Sequence, residues 1–145
     1  MARVPMGVGY WDDGWLPLPR PQDLVCPGWR SDDRDRIVAY LREGVVVRRA
    51  FGSSACRFMD CRLSLGSADL TDGLWMWPER LEHYVTDHAV QLPEVFVETM
   101  EGNGWRVPTV DGAETARALL SVPNTIPTYF AISFRWIQWS KQVSR

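Results

Sequence analysis

Apolar positions change their period several times along the chain, and each change marks an element. Ile37, Val38, Tyr40 and Leu41 recur at helical spacing behind a segment crowded with Asp32, Asp33 and Asp35, and Gly44 follows them. Acidic residues suit the positive end of a helix dipole and glycine suits a helix end, so the pattern predicts a helix opened by Ser31 and closed at Gly44. The β-branched run 45–51 predicts a strand, Gly52-Ser53-Ser54 a turn, and 55–60 the returning strand. Residues 63–72 read as loop. The segment 73–77 predicts a short strand, with Trp75 and Trp77 on one face and Leu74 and Met76 on the other. Being apolar on both faces, it belongs in the middle of a sheet.

Pro78 stands where the first residue of a helix belongs, and Leu81, Tyr84 and Val85 carry a helical stripe to about Asp87. A second short helix runs from Pro93-Glu94 through Met100 and stops at Glu101-Gly102-Asn103-Gly104. Residues 105–110 predict a strand ending near Pro108, and 112–120 a helix through Ala113, Ala116, Leu119 and Leu120. Beyond the breaker segment 122–127, Phe130, Ile132, Phe134 and Trp136 alternate with Tyr129, Ala131, Ser133 and Arg135. Period two with this aromatic content predicts a strand over 128–139, with a helix as the alternative.

Residues 1–30 differ from the rest. Pro17, Pro19, Pro21 and Pro27 alternate with Trp15, Leu16, Leu18, Leu24 and Trp29. Proline fixes φ and removes donors, so this is an extended arm, and its large side chains predict that it lies on the domain. Residues 31–145 then form a single α+β domain: a small mixed or antiparallel sheet with three to four short helices.

Composition narrows the function. The chain has 145 residues, one domain's worth, with a formal net charge of −2 and a pI near 5.7. That balance gives no footprint for nucleic acid, and no run is long and apolar enough to predict a membrane span. The N-terminal segment has no apolar core before Asp12 and Asp13, which predicts a mature cytoplasmic N-terminus. Three cysteines are few and odd in number, against a secreted disulfide framework. Eight tryptophans supply large apolar area for a core, an aromatic pocket or an interaction surface.

One constellation carries chemistry. Cys56 and Cys61 form a C-x4-C pair, and His83 and His88, the chain's two histidines, an H-x4-H pair. Zinc takes four thiolate or imidazole ligands in a tetrahedron, and Cys2His2 is a standard structural set. Two conditions must hold. The chain must turn after Asp60, because residues five apart on a strand face opposite ways. The helix must loosen near its end, or the metal must sit at its C-terminus, because five residues turn about 140° around an α-helix. The competing readings are two packed thiols and two ordinary histidines, a local disulfide, or a Cys56 nucleophile with His83 as base and Asp72 or Glu82 as orienter. No P-loop, Rossmann, nucleophile-elbow or H-E-x-x-H motif is present.

The stretch Thr71-Asp72-Gly73-Leu74-Trp75-Met76-Trp77-Pro78-Glu79-Arg80-Leu81-Glu82-His83-Tyr84-Val85, continued by His88-Ala89-Val90-Gln91-Leu92-Pro93-Glu94-Val95-Phe96-Val97, resembles the signature of a family of small actinobacterial proteins of unknown function. The segment Cys56-Arg57-Phe58 is similar too, and the resemblance covers about residues 29–100. The family pattern implies glycines where Arg62 and Arg80 stand, so this chain departs from it there. The resemblance implies no activity. Together the readings lead to a small cytoplasmic protein-interaction or accessory, immunity-like protein with a structural zinc, binding a protein partner or a small apolar ligand. The alternative is a small enzyme, zinc-dependent or with a Trp-lined pocket, acting on an apolar or aromatic molecule. The aromatic C-terminal strand offers an edge for a homodimer.

Overall fold

Trp75, Met76 and Trp77 are all buried, because this short segment has a neighbour on each side and a packed layer on each face. In the computed structural model, which describes residues 3–14, 16–50, 52, 54–123 and 127–144, it belongs to the strand Trp75–Pro78 (β4). Trp15, Phe51, Ser53 and residues 124–126 of the breaker lie outside the described residues. The other strands are Met6–Gly7 (β1), Val45–Arg49 (β2) and Ala68–Thr71 (β3). Their order is β1-β4-β3-β2, with β1 parallel to β4 and the other pairs antiparallel. The arm therefore contributes an edge strand: Met6 N–H donates to Leu74 O and Val8 N–H to Met76 O.

The helices are Arg34–Arg42 (α1), Leu81–His88 (α2), Glu94–Gly102 (α3), Gly112–Leu119 (α4), Thr128–Ala131 (α5) and Phe134–Val143 (α6). On one face of the sheet, Leu70, Trp75 and Trp77 pack with Ile37, Tyr40, Leu41, Leu81 and Phe96. On the other, Met76 packs with Tyr10, Val47, Leu119 and Ile132. This is an α+β domain built on a mixed four-stranded sheet among the described residues. None of the described helices is long and apolar enough to cross a membrane.

Several expectations are corrected. Over residues 128–139 the helical alternative holds and the strand does not: 128–131 form α5 and 134–139 lie in α6, with 132–133 joining them. What matters there is the i, i+4 pair Ile132 and Trp136, with Ser140 one turn on, all buried, while Phe134 is 64% exposed. The Trp136 indole N–H donates to Tyr10 O, fixing α6 to the arm. The strand expected at 105–110 is irregular, and 55–60 makes only an isolated bridge, Ala55 to Ser64, before turning. Pro78 closes β4, and the helix begins at Leu81.

Residues 68–71, read as loop, are the strand β3, buried throughout. Asp69 hid it. Its carboxylate sits inside because Tyr10 OH donates to Oδ1 (2.7 Å), while Arg48 Nε (2.9 Å) and Tyr129 OH (3.1 Å) donate to Oδ2. These partners come from the arm, β2 and α5, distant in sequence, so no local pattern could reveal them.

The same burial governs the tyrosines. Burial and the Asp69 carboxylate push the Tyr10 and Tyr129 phenols up. Burial and a 2.6 Å hydrogen bond to Asp72 do the same for Tyr40. Burial raises Tyr84 to about 12. All four tyrosines of the chain thus titrate above the ordinary phenol value near 10. Because the folded values exceed the unfolded ones, their contribution is intact below about pH 10 and lost as pH rises through the folded values. Absorbance at 295 nm should show almost no phenolate at about pH 10.5 while the circular dichroism is native, then all four ionising with unfolding. A phenol ionising near pH 10 in the folded protein would contradict this.

Candidate metal centre

The cysteine pair lies on a loose hairpin. Leu65 N–H donates to Ser54 O and Ser54 N–H to Gly66 O at the base, and Cys56 N–H to Leu63 O farther out. The chain reverses over residues 57–60, and Cys61 N–H closes the turn on Phe58 O at 3.0 Å. The reversal after the first cysteine satisfies the first geometric condition.

The histidines lie on α2. His83 sits in its first turn and His88 is its last residue. The helix end is wide: Ala89, in the left-handed region at φ 52°, sends its N–H five residues back to Tyr84 O, and Val90 N–H reaches the same carbonyl. A five-residue bond is wider than an α-turn, which meets the second condition. The imidazole centroids come to 5.0 Å. At the other end Arg80 is left-handed, at φ 66°, and glycine adopts that conformation without a Cβ penalty.

The four side chains converge. Cys56 Sγ lies 3.3 Å from His88 Nε2, and Cys61 Sγ 3.5 Å from His83 Nε2. All four ligand atoms fall within 4.8 Å of one another. For tetrahedral zinc with Zn–S ~2.3 Å and Zn–N ~2.0–2.1 Å, the sulfur-to-nitrogen edge is about 3.6 Å. The two observed contacts are close to that edge. Cys56 and His83 are buried, and Cys61 and His88 half-buried.

A surrounding shell orients these groups. Asp87 Oδ2 lies 3.0 Å from His83 Nδ1, leaving Nε2 facing the sulfurs. Phe58 stacks on the His88 ring at 4.0 Å and 5°. The Tyr84 hydroxyl oxygen accepts from Arg57 N–H at 3.0 Å, tying the reversal to α2. Burial pushes the Cys56 thiol up, opposed by the Phe58 N–H, and the adjacent Cys61 pushes it further up. A metal that binds the thiolate must therefore displace a proton. Burial, then the neighbouring His83, lowers His88, with Asp87 opposing, and this favours the neutral imidazole that ligates metals.

The structure brings together all four residues singled out by spacing, whereas Cys26 lies elsewhere, half-buried against the main core. All three cysteines are free thiols, so no local disulfide joins the pair. The nucleophilic arrangement is not assembled. Cys56 meets His88 and not His83, and Asp72 is bound to Tyr40 OH and to the Leu74 and Trp75 amides. Glu82 faces Arg42 at 3.7 Å. The orienter is Asp87, whose i, i+4 spacing from His83 was the available signal.

Replacing Asp87 by Ala leaves the four ligands in place and removes only their outer support. Metal affinity should fall by about 10- to 100-fold, read by competition with a chromophoric chelator. An unchanged affinity would mean that Asp87 does not orient His83.

The fold and this group define an α+β domain with a Cys2His2 cluster that can hold a metal ion such as zinc. No protein-family model, curated protein or solved structure matches the chain.

Proposed function

We propose that this is a small accessory or interaction protein whose site-bearing hairpin is fastened to α2 by a structural zinc at Cys56, Cys61, His83 and His88. The observation that carries the reading is the convergence of four protein ligand atoms within 4.8 Å. Four side-chain ligands fill a tetrahedron, whereas catalytic zinc keeps one position for water. The proposed kinship with small actinobacterial proteins concerns the same segment, since it runs through β4, Arg80 and α2. Thiolate ligands persist in a reducing compartment, which supports a cytoplasmic setting. A protein partner finds apolar surface beside the metal: Met59, at the hairpin tip, is 96% exposed.

Elemental analysis of untagged protein, paired with a thiol count, tests the reading. It expects one zinc per chain, with Cys56 and Cys61 protected from thiol reagents until the metal is chelated. No metal, with both thiols reacting freely in the native state, would overturn it. The enzyme alternative draws support from one observation, a cleft of about 340 Å³ beside the hairpin. That cleft contains neither histidine, so hydrolysis at the metal gains nothing from it.

A further inference from the structure

The four ligand atoms divide by element: both sulfurs belong to the hairpin and both imidazoles to α2. We propose that this division makes the cluster a redox-sensitive fastener. A peroxide joins Cys56 to Cys61 as a disulfide, the zinc leaves, and the hairpin is freed from α2. The inference rests on the zinc reading and names the regulation of that site.

The two sulfurs are poised for each other. They stand on one reversal, separated by residues 57–60, which form bends and turns. Their Sγ atoms lie within 4.8 Å of each other. Tetrahedral zinc holds two sulfurs about 3.8 Å apart, and a disulfide holds them at ~2.05 Å, so closure needs roughly 2 Å of movement. That movement falls within a single loop, and α2 can stay where it is. The third thiol, Cys26, packs against the main core outside the cluster.

Their exposure differs. Cys61 is half-buried and Cys56 is buried beside it. A reachable sulfur with a resolving sulfur next to it is the arrangement of redox-sensor cysteines. Metal coordination keeps both sulfurs deprotonated, and the thiolate is the form that attacks a peroxide. The Cys61 thiolate takes one peroxide oxygen, the O–O bond breaks, and hydroxide departs, leaving a sulfenic acid. The Cys56 thiolate then attacks the Cys61 sulfur, the S–O bond breaks, and a second hydroxide departs. Two electrons have passed from the sulfur pair to the peroxide, and the two hydroxides take up protons as water.

The hairpin holds the metal through sulfur alone, so one disulfide removes every metal bond between it and α2. The new bond lies inside the hairpin and replaces none of them. Phe58 on His88 and the Arg57 N–H on Tyr84 remain on α2, and Gln22 Nε2 still donates to Arg57 O from the arm at 2.7 Å. Ser54, Arg57, Leu65 and Gly66 of the hairpin form one wall of the cleft, so its release also alters that wall.

Treating the full, zinc-loaded chain with hydrogen peroxide at neutral pH tests the proposal. Met59, 96% exposed at the hairpin tip, reports by its sulfoxide that oxidant has reached the hairpin. One zinc should be released for each disulfide formed, read with a chromophoric chelator and by the loss of two hydrogens from the dithiol mass. Trypsin cuts after Arg57 and Arg62, so the disulfide should join fragments 50–57 and 58–62. Native-state cleavage after Arg57 should be about tenfold faster in the oxidised chain. Dithiothreitol with zinc should restore the starting state, and Cys26→Ser should behave like the native chain. Met59 sulfoxide with zinc and both thiols intact, sulfinic acid in place of the disulfide, a disulfide to Cys26, or unchanged cleavage after Arg57 would each overturn the proposal. Zinc content measured before the peroxide is added reports on the metal reading by itself, which separates its failure from the failure of this one.

Discussion

Removing zinc from the loaded protein at neutral pH should lower its melting temperature by more than about 10 °C, and adding zinc back should restore it. A structural zinc contributes about 10–16 kcal/mol of apparent binding free energy in small peptides, comparable to the whole stability of a domain at about 5–15 kcal/mol. Even a ~3 kcal/mol share moves the midpoint by roughly 10 °C in a chain of this length. The hairpin shows why the share is large. It has one isolated bridge and a few backbone bonds of its own, and it carries exposed Met59 and Leu63. Without the metal, Phe58 on His88, Tyr84 on Arg57 and the two cysteine–histidine contacts are the ties left between its tip and α2. Cys56→Ser should reproduce the loss, because an alcohol is a poor replacement for a thiolate ligand. The same melting temperature in loaded and verified metal-free protein would contradict a structural role.

The second large effect lies on the opposite face of the sheet. Asp69→Ala should destabilise the fold by about 3 kcal/mol in urea, since it orphans the buried Tyr10 hydroxyl, at about 1–3 kcal/mol, and unpairs both Tyr129 and Arg48. Arg48 is 35% exposed and can turn to water, so the loss stays below that of a sealed ion pair. The partners form one network, so the effects should not add. Tyr10→Phe should cost less in the Asp69→Ala background than in the native protein. A loss under about 1 kcal/mol, or strict additivity, would show that the carboxylate is not what holds these elements together.

These two places mark what sequence reading can and cannot reach. The metal cluster was legible because its four residues are chemically distinctive and spaced in two short pairs, and because both geometric conditions were local: a reversal at 57–60 and a wide end at Ala89. The central strand was legible because an unbroken apolar run needs cover on both faces, and β4 has it. β3 was not, since Asp69 looks like a loop residue until Tyr10, Arg48 and Tyr129 are placed around it. The C-terminal helices were missed for a different reason. Alternating aromatic residues imitate a strand, while the contacts that decide the matter, Trp136 to Tyr10 O above all, join positions 126 residues apart. The cleft was equally invisible, because its walls come from the arm, the sheet and the hairpin and meet only in three dimensions.

X-ray absorption at the zinc edge of the full chain reads the ligand set of the Cys56, Cys61, His83 and His88 cluster. The expected shell is two sulfur ligands at ~2.3 Å and two nitrogen ligands at ~2.0–2.1 Å, with one sulfur lost in Cys61→Ser. A shell of oxygen and nitrogen without sulfur, or a spectrum unchanged by Cys61→Ser, would contradict it.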